Sequence, residues 1–384
     1  MTVTLDALLA SREMVVVCGS GGTGKTTVAA ALGVNAAVRL GGRVLVITVD
    51  PARRLATALG LDTVANATTR IAPEVFEAAG VTARGELWVT MLDTKAGWDE
   101  LIRRHAPDAA LREKVLANPL YDNITSRFVH SHDYIAMERL HEVHASGRYD
   151  LIVVDTPPSR NALDLLDAPG RMREFFGSRL LRWLTVPYRS RLFTLASKPF
   201  YQVADRVLGS RFLHDIADFF VLFQAMEPGF VARAKEVERL LVDPRTSFLV
   251  VSTLEAAPVH EARYLVDELH RRGMDLGAVV LNRALPDELR SLPAAAAADA
   301  LGRAMEDDRA VERLASLVGG DLQQVRAVVG EIAERFHDVA VVASREAERA
   351  AVLASLAPVT VAVPPLRSDV SDLGRLLELG RHLI

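Results

Sequence analysis

The chain has 384 residues, half of them hydrophobic and 24% charged, with a formal net charge of −4. That length accommodates one α/β core carrying a helical insert, and the mild acidity leaves no electrostatic footprint for a nucleic-acid partner. A single cysteine, Cys18, excludes an intramolecular disulfide and any thiol-rich metal cage, zinc included.

Taken in chain order, Met14–Cys18 is a short β-branched run that stops at a glycine, as a buried parallel strand does. Cys18 reads as a small buried residue of that strand. Thr26–Leu40 is Ala-rich and free of proline and predicts a helix. Arg43–Val49 predicts a second strand leading into Asp50-Pro51, and Glu86–Leu92 a fainter one. Leu151–Asp155 ends in a carboxylate followed by two prolines. Phe248–Ser252, Ala278–Asn282 and Val359–Val363 complete the strand-like runs. Helical segments separate nearly all of them, for example His260–Gly273, so the expected fold class is α/β, a doubly wound and mostly parallel sheet.

Two regions break the alternation. Ala168–Val242 holds apolar residues at helical spacing, with Phe175, Phe176, Leu180, Leu181, Trp183 and Leu184 followed by Phe212, Leu213, Ile216, Phe219, Phe220 and Phe223. This predicts a helical insert at 168–242, flanked by a first core part at 1–167 and a second at 243–384. Asp287–Ala357 is a further helical stretch containing the run Ala294–Ala298. No repeat and no second Gly-rich loop is present. The N-terminus lacks a signal-peptide pattern, and apolar stretches such as Phe219–Met226 fall short of the ~20 residues that span a bilayer. The expectation is a cytoplasmic protein with no transmembrane helix.

The chemistry concentrates at Gly19-Ser20-Gly21-Gly22-Thr23-Gly24-Lys25-Thr26, which fits G-x-x-x-x-G-K-[ST] between a strand and a helix. Glycines let successive N–H groups curl toward phosphate oxygens at the positive end of the helix. Lys25 is expected on the β- and γ-phosphates, the Thr26 hydroxyl on Mg²⁺, and Thr27 at the α-phosphate. Asp155 stands where a Mg²⁺-coordinating acid belongs. Asp50 ends the second strand at the same sheet edge, either orienting the attacking water or capping the next helix. The sequence Asn282-Arg283-Ala284-Leu285 stands where a GTPase carries Asn-Lys-x-Asp. With the Asn282 amide available to the adenine edge and Pro364-Pro365-Leu366 able to wall the ring, ATP is favoured over GTP.

These motifs, in this order and over essentially the whole chain, resemble the arsenite pump-driving ATPase family, which includes the ATPases that target tail-anchored membrane proteins. The resemblance rests on Gly19–Thr27, on Val49-Asp50-Pro51-Ala52 as switch I, on Asp155-Thr156-Pro157-Pro158 as switch II, on Asn282, and on Val363–Leu366. The run Asp155–Asn161 looks most like actinobacterial members. The resemblance implies a dimeric Mg·ATP-driven switch with Lys25, Asp50 and Asp155 as catalytic residues and Thr26 and Asp155 at the metal. It also implies a client-binding or regulatory insert, with an apolar helix or a membrane protein as client. Two departures matter. The family loop carries a lysine that reaches the partner's nucleotide where this chain has Ser20; Arg53, Arg54 or Arg160 could substitute, or the partner could be a paralogue that keeps the lysine. Arsenite binding uses several cysteines, which this chain lacks. A low-turnover regulatory subunit, and a P-loop kinase with Arg171–Arg191 as its basic lid, are the alternatives. Residue by residue the insert aromatics read first as the core of a helical layer, and the client groove follows only from the resemblance.

Overall fold

A computed structural model of the protein describes residues 4–49, 55–56, 59, 68–106, 108–118, 121, 131–158, 163–168, 170–171, 174 and 228–384. The strands are β1 (Met14–Gly19), β2 (Arg43–Thr48), β3 (Thr69–Arg70), β4 (Glu86–Met91), β5 (Leu151–Asp155), β6 (Thr246–Ser252), β7 (Leu276–Asn282) and β8 (Val359–Val363). They form one sheet in the order β3-β4-β2-β5-β1-β6-β7-β8. Every pairing is parallel except that of β3 with β4. The α/β expectation therefore holds.

The central strands read as unbroken apolar runs because both faces are covered. All of β1, β5, β6 and β7 is buried. The pleat sends Met14, Val16 and Cys18 into one core and Val15 and Val17 into the other. Helix α1 (Leu5–Ser11), the Ala-rich α2 (Lys25–Arg39) and the C-terminal α11 (Leu373–Leu383) cover the second face, with α3 (Pro73–Ala78) at its edge. The first face is packed by α4 (Thr94–His105), α5 (Ala109–Leu116), α6 (Ser131–Ala145), helical residues 228–241 and α7 (Ala256–Arg271).

Between β7 and β8 the predicted helical stretch is three helices, α8 (Leu292–Glu306), α9 (Asp308–Val318) and α10 (Leu322–Ala354). The 33-residue α10 is ~50 Å long. Along it Ala333, Ala340, Ala343, Ala350 and Leu353 are buried at helical spacing, and small side chains let it lie close against α8. The alanine run 294–298 belongs to that packed pair. No described helix is long and apolar enough to cross a membrane.

Sequence reading missed β3, whose two exposed residues are too few to show alternation. It also began β6 at Phe248, because Thr246 and Ser247 are polar although fully buried. Asp50, Pro51, Ala52, Arg53, Arg54, Arg160, Asn161 and the insert aromatics Phe175, Phe176, Trp183, Phe219, Phe220 and Phe223 lie outside the described residues.

Candidate nucleotide site

The sheet order brings the carboxyl ends of β2, β5, β1, β6 and β7 side by side, the edge where ligands bind in open α/β sheets. The loop leaves β1 at Gly19, whose φ is +152° and where a Cβ would lie 2.1 Å from the Val251 carbonyl oxygen of β6. Only glycine passes there. The loop ends at Gly24, φ +90°, which begins α2 with no side-chain cap on the first-turn N–H groups. An uncapped helix start faced by a glycine loop is what an oxyanion needs.

Inside the loop the Thr23 hydroxyl donates to the Ser20 carbonyl at 2.9 Å, and Lys25 Nζ donates to the same carbonyl at 2.8 Å. Lys25 is only 7% exposed. Its ammonium thus sits poorly hydrated at the loop, where its pull on an anion is strong. Thr26 and Thr27 are half-buried on the first turn of α2. The Ser20 hydroxyl is buried and has no hydrogen-bond partner among the described residues.

One strand over, Val17 is in register with Asp155. Asp155 is fully buried, and its Oδ2 accepts from the Thr48 hydroxyl at 2.8 Å. The backbone supports the same junction, since Val49 N–H donates to the Asp155 carbonyl and the Thr156 hydroxyl donates to the Val17 carbonyl at 2.9 Å. Oxygen donors of this kind, a hydroxyl at Thr26 and a carboxylate at Asp155, suit Mg²⁺, which is held by one or two protein oxygens plus substrate phosphates. Among the described residues no group of three or more His, Cys, Asp or Glu could hold a metal by itself.

Two further contacts were not legible in the sequence. His132, near the start of α6, reaches the Val49 carbonyl through Nε2 at 2.6 Å and the Thr94 hydroxyl through Nδ1 at 2.5 Å. A carbonyl only accepts, so Nε2 carries the proton. This ties the residue just before Asp50 to α4 and α6. The second contact joins Asn282 to the loop, its Nδ2 donating to the Thr23 carbonyl at 2.8 Å. Beside it the Ala284 N–H donates to the Val363 carbonyl, so Asn282 and the Pro364-Pro365-Leu366 turn follow from neighbouring strands.

Across residues 12–300 the chain matches the anion-transporting ATPase family. The chain belongs to that family. Members of this anion-transporting ATPase family use ATP with Mg²⁺. An uncharacterized protein of Streptomyces coelicolor is 31% identical over 71% of this chain and 62% of its own length. A putative arsenical pump-driving ATPase of Aquifex aeolicus is 22% identical over 72% of this chain and 64% of its own. An ATPase ASNA1 homolog of Entamoeba dispar is 24% identical over 73% of this chain and 80% of its own. The chain thus spans a little under two thirds of the first two relatives.

Cys18 lies beneath this family's phosphate loop and is fully buried. Burial pushes its thiol from the usual 9.0 up to about 12, against the opposing pull of Thr156 and Lys25. Because the folded thiol keeps its proton longer than the unfolded one, its contribution is complete below about pH 9 and is lost as pH rises toward 12. The slope is ~1.4 kcal/mol per pH unit. Urea unfolding between pH 8 and 11 is expected to show this alkaline loss in the wild type and a shallower one in Cys18→Ala. Parallel curves for the two proteins would mean that the thiol ionises in the folded state.

Proposed function

We propose that the protein is a Mg²⁺-dependent ATPase acting as a dimeric nucleotide switch that binds and releases an apolar protein or membrane client. The observation that carries this reading is the buried Lys25 ammonium, held on the Ser20 carbonyl at the uncapped start of α2. A buried cation at an uncapped helix start, one strand from a buried carboxylate, is an arrangement suited to a polyphosphate.

When ATP binds, Lys25 exchanges the Ser20 carbonyl for β- and γ-phosphate oxygens and neutralises charge on the leaving side. Loop N–H groups from Gly21 to Thr26 hold the β-phosphate, and Thr27 holds the α-phosphate. Thr26 and Asp155 are the side chains that hold Mg²⁺, which supplies Lewis-acid neutralisation of the phosphate oxygens. Asp50 orients the attacking water. Its neighbour Val49 is anchored by both the Asp155 carbonyl and His132, so ordering of the switch by the γ-phosphate starts from a fixed point. Residues 1–167 and 243–384 make the ATPase core, and 168–242 the client or regulatory insert. Exposed Leu317, Val318, Val328 and Ile332 on α9 and α10 favour an apolar partner.

Phosphate release from Mg·ATP, with the mass of the assembly recorded in ADP and in ATP, tests this. Turnover together with an ATP-dependent dimer is expected. Asp155→Asn keeps an acceptor for Thr48 and is expected to slow turnover on the order of 10²-fold while raising the Mg²⁺ needed for half-maximal rate. If the protein neither binds ATP nor releases phosphate, the reading is wrong.

Ser20 favours a second reading, a regulatory subunit that binds ATP tightly and turns it over slowly. Its short neutral side chain cannot reach a partner's phosphates, and losing a trans-acting cation costs on the order of 10³-fold. A paralogue with lysine at that position would then stimulate release on mixing.

A further inference from the structure

Asn282 stands at the end of β7, far from the loop in sequence, yet it is almost fully buried against it. Its Nδ2 donates to the Thr23 carbonyl at 2.8 Å, and its Oδ1 accepts from the Arg283 N–H at 3.1 Å. A carbonyl needs a donor and an N–H an acceptor, so the two partners dictate which way the amide faces. The approach is close: a Cβ on Gly24 would lie 2.4 Å from Asn282 Nδ2. Arg283 takes up the turn that this needs, with φ +57°, the only positive φ of a non-glycine among the described residues.

Thr23 is thereby clamped at both ends, its hydroxyl on Ser20 and its carbonyl on Asn282. No cis peptide is present among the described residues, and in a planar trans peptide the C=O and the following N–H point in opposite directions. Holding the Thr23 carbonyl toward β7 therefore turns the Gly24 N–H away from β7. We infer that Asn282 is a positioning residue of the phosphate loop, fixing the Thr23–Gly24 peptide so that the Gly24 N–H is presented to the polyphosphate. The inference rests on the proposal that this site binds ATP.

The test compares Mg²⁺-loaded ATP with Mg²⁺-loaded inorganic tripolyphosphate, which has no base, by calorimetric titration of the full chain. Asn282→Ala is expected to weaken tripolyphosphate about tenfold and ATP by at least as much. Loss confined to ATP would make Asn282 a base reader and overturn the inference, as would no loss for either ligand. Asn282→Asp decides the matter without changing the size of the side chain. Its carboxylate repels the Thr23 carbonyl, whereas its protonated form donates to it. Relative to wild type at each pH, its tripolyphosphate affinity is expected to recover as pH falls from 8 to 5. An equal deficit at every pH overturns the positioning role. Wild-type protein that binds neither ligand would reject the ATP reading itself, a result distinct from a loss seen only in the variants.

Discussion

Lys25→Ala is expected to lower the rate of ATP hydrolysis on the order of 10³-fold, as removal of a preorganised charge at a phosphoryl centre does. The geometry gives two reasons for an effect at the upper end of such losses. Nζ already sits within the loop, on the Ser20 carbonyl at 2.8 Å, so little reorganisation is needed to move it onto a phosphate. The side chain is only 7% exposed, and poor hydration strengthens its attraction for the nucleotide. Lys25→Arg is expected to restore little, because a planar guanidinium cannot occupy the place of a compact ammonium. The apo melting temperature is expected to move by only a few degrees, since the lost bond is balanced by relief from burying a charge. Phosphate release by Lys25→Ala within tenfold of wild type would remove Lys25 from the chemistry.

Gly19→Ala is expected to produce the largest loss of stability of any single methyl added to the loop. The new Cβ would lie 2.1 Å from the Val251 carbonyl oxygen. That oxygen belongs to the strand in register with Gly19, so it cannot swing aside as a side chain would. Parting β1 from β6, or straining the backbone away from φ +152°, costs about 3 kcal/mol or more. That is a large share of the ~5–15 kcal/mol by which proteins are stable. Gly22→Ala is the internal control: its φ is +80° but nothing lies within 4 Å of the added methyl, so only the left-handed backbone penalty of about 1–2 kcal/mol applies. The comparison is read from urea midpoints of the two variants. Equal midpoints would show that the β1–β6 junction yields to a methyl group.

Much of this molecule could be read locally, and for a physical reason. A phosphate-loop motif is a run of consecutive residues: its glycines set backbone torsions, and Lys25 and Thr26 sit on the first turn of the following helix, all of which depends only on near neighbours. The buried parallel strands betray themselves as apolar runs because helices cover both faces, which is why Met14–Cys18 and Leu151–Asp155 were legible. The chain's amino-acid order therefore determined the fold class, the family and the candidate phosphate loop. Only the tertiary structure decided which distant residues complete that site. The Thr48 hydroxyl on Asp155, His132 on the Val49 carbonyl and Asn282 on the Thr23 carbonyl all depend on strand and helix neighbours that hydrophobic periodicity does not encode. The order β2-β5-β1-β6-β7 is a property of the closed sheet. It turns a motif that any glycine-rich turn could mimic into a loop held from both sides.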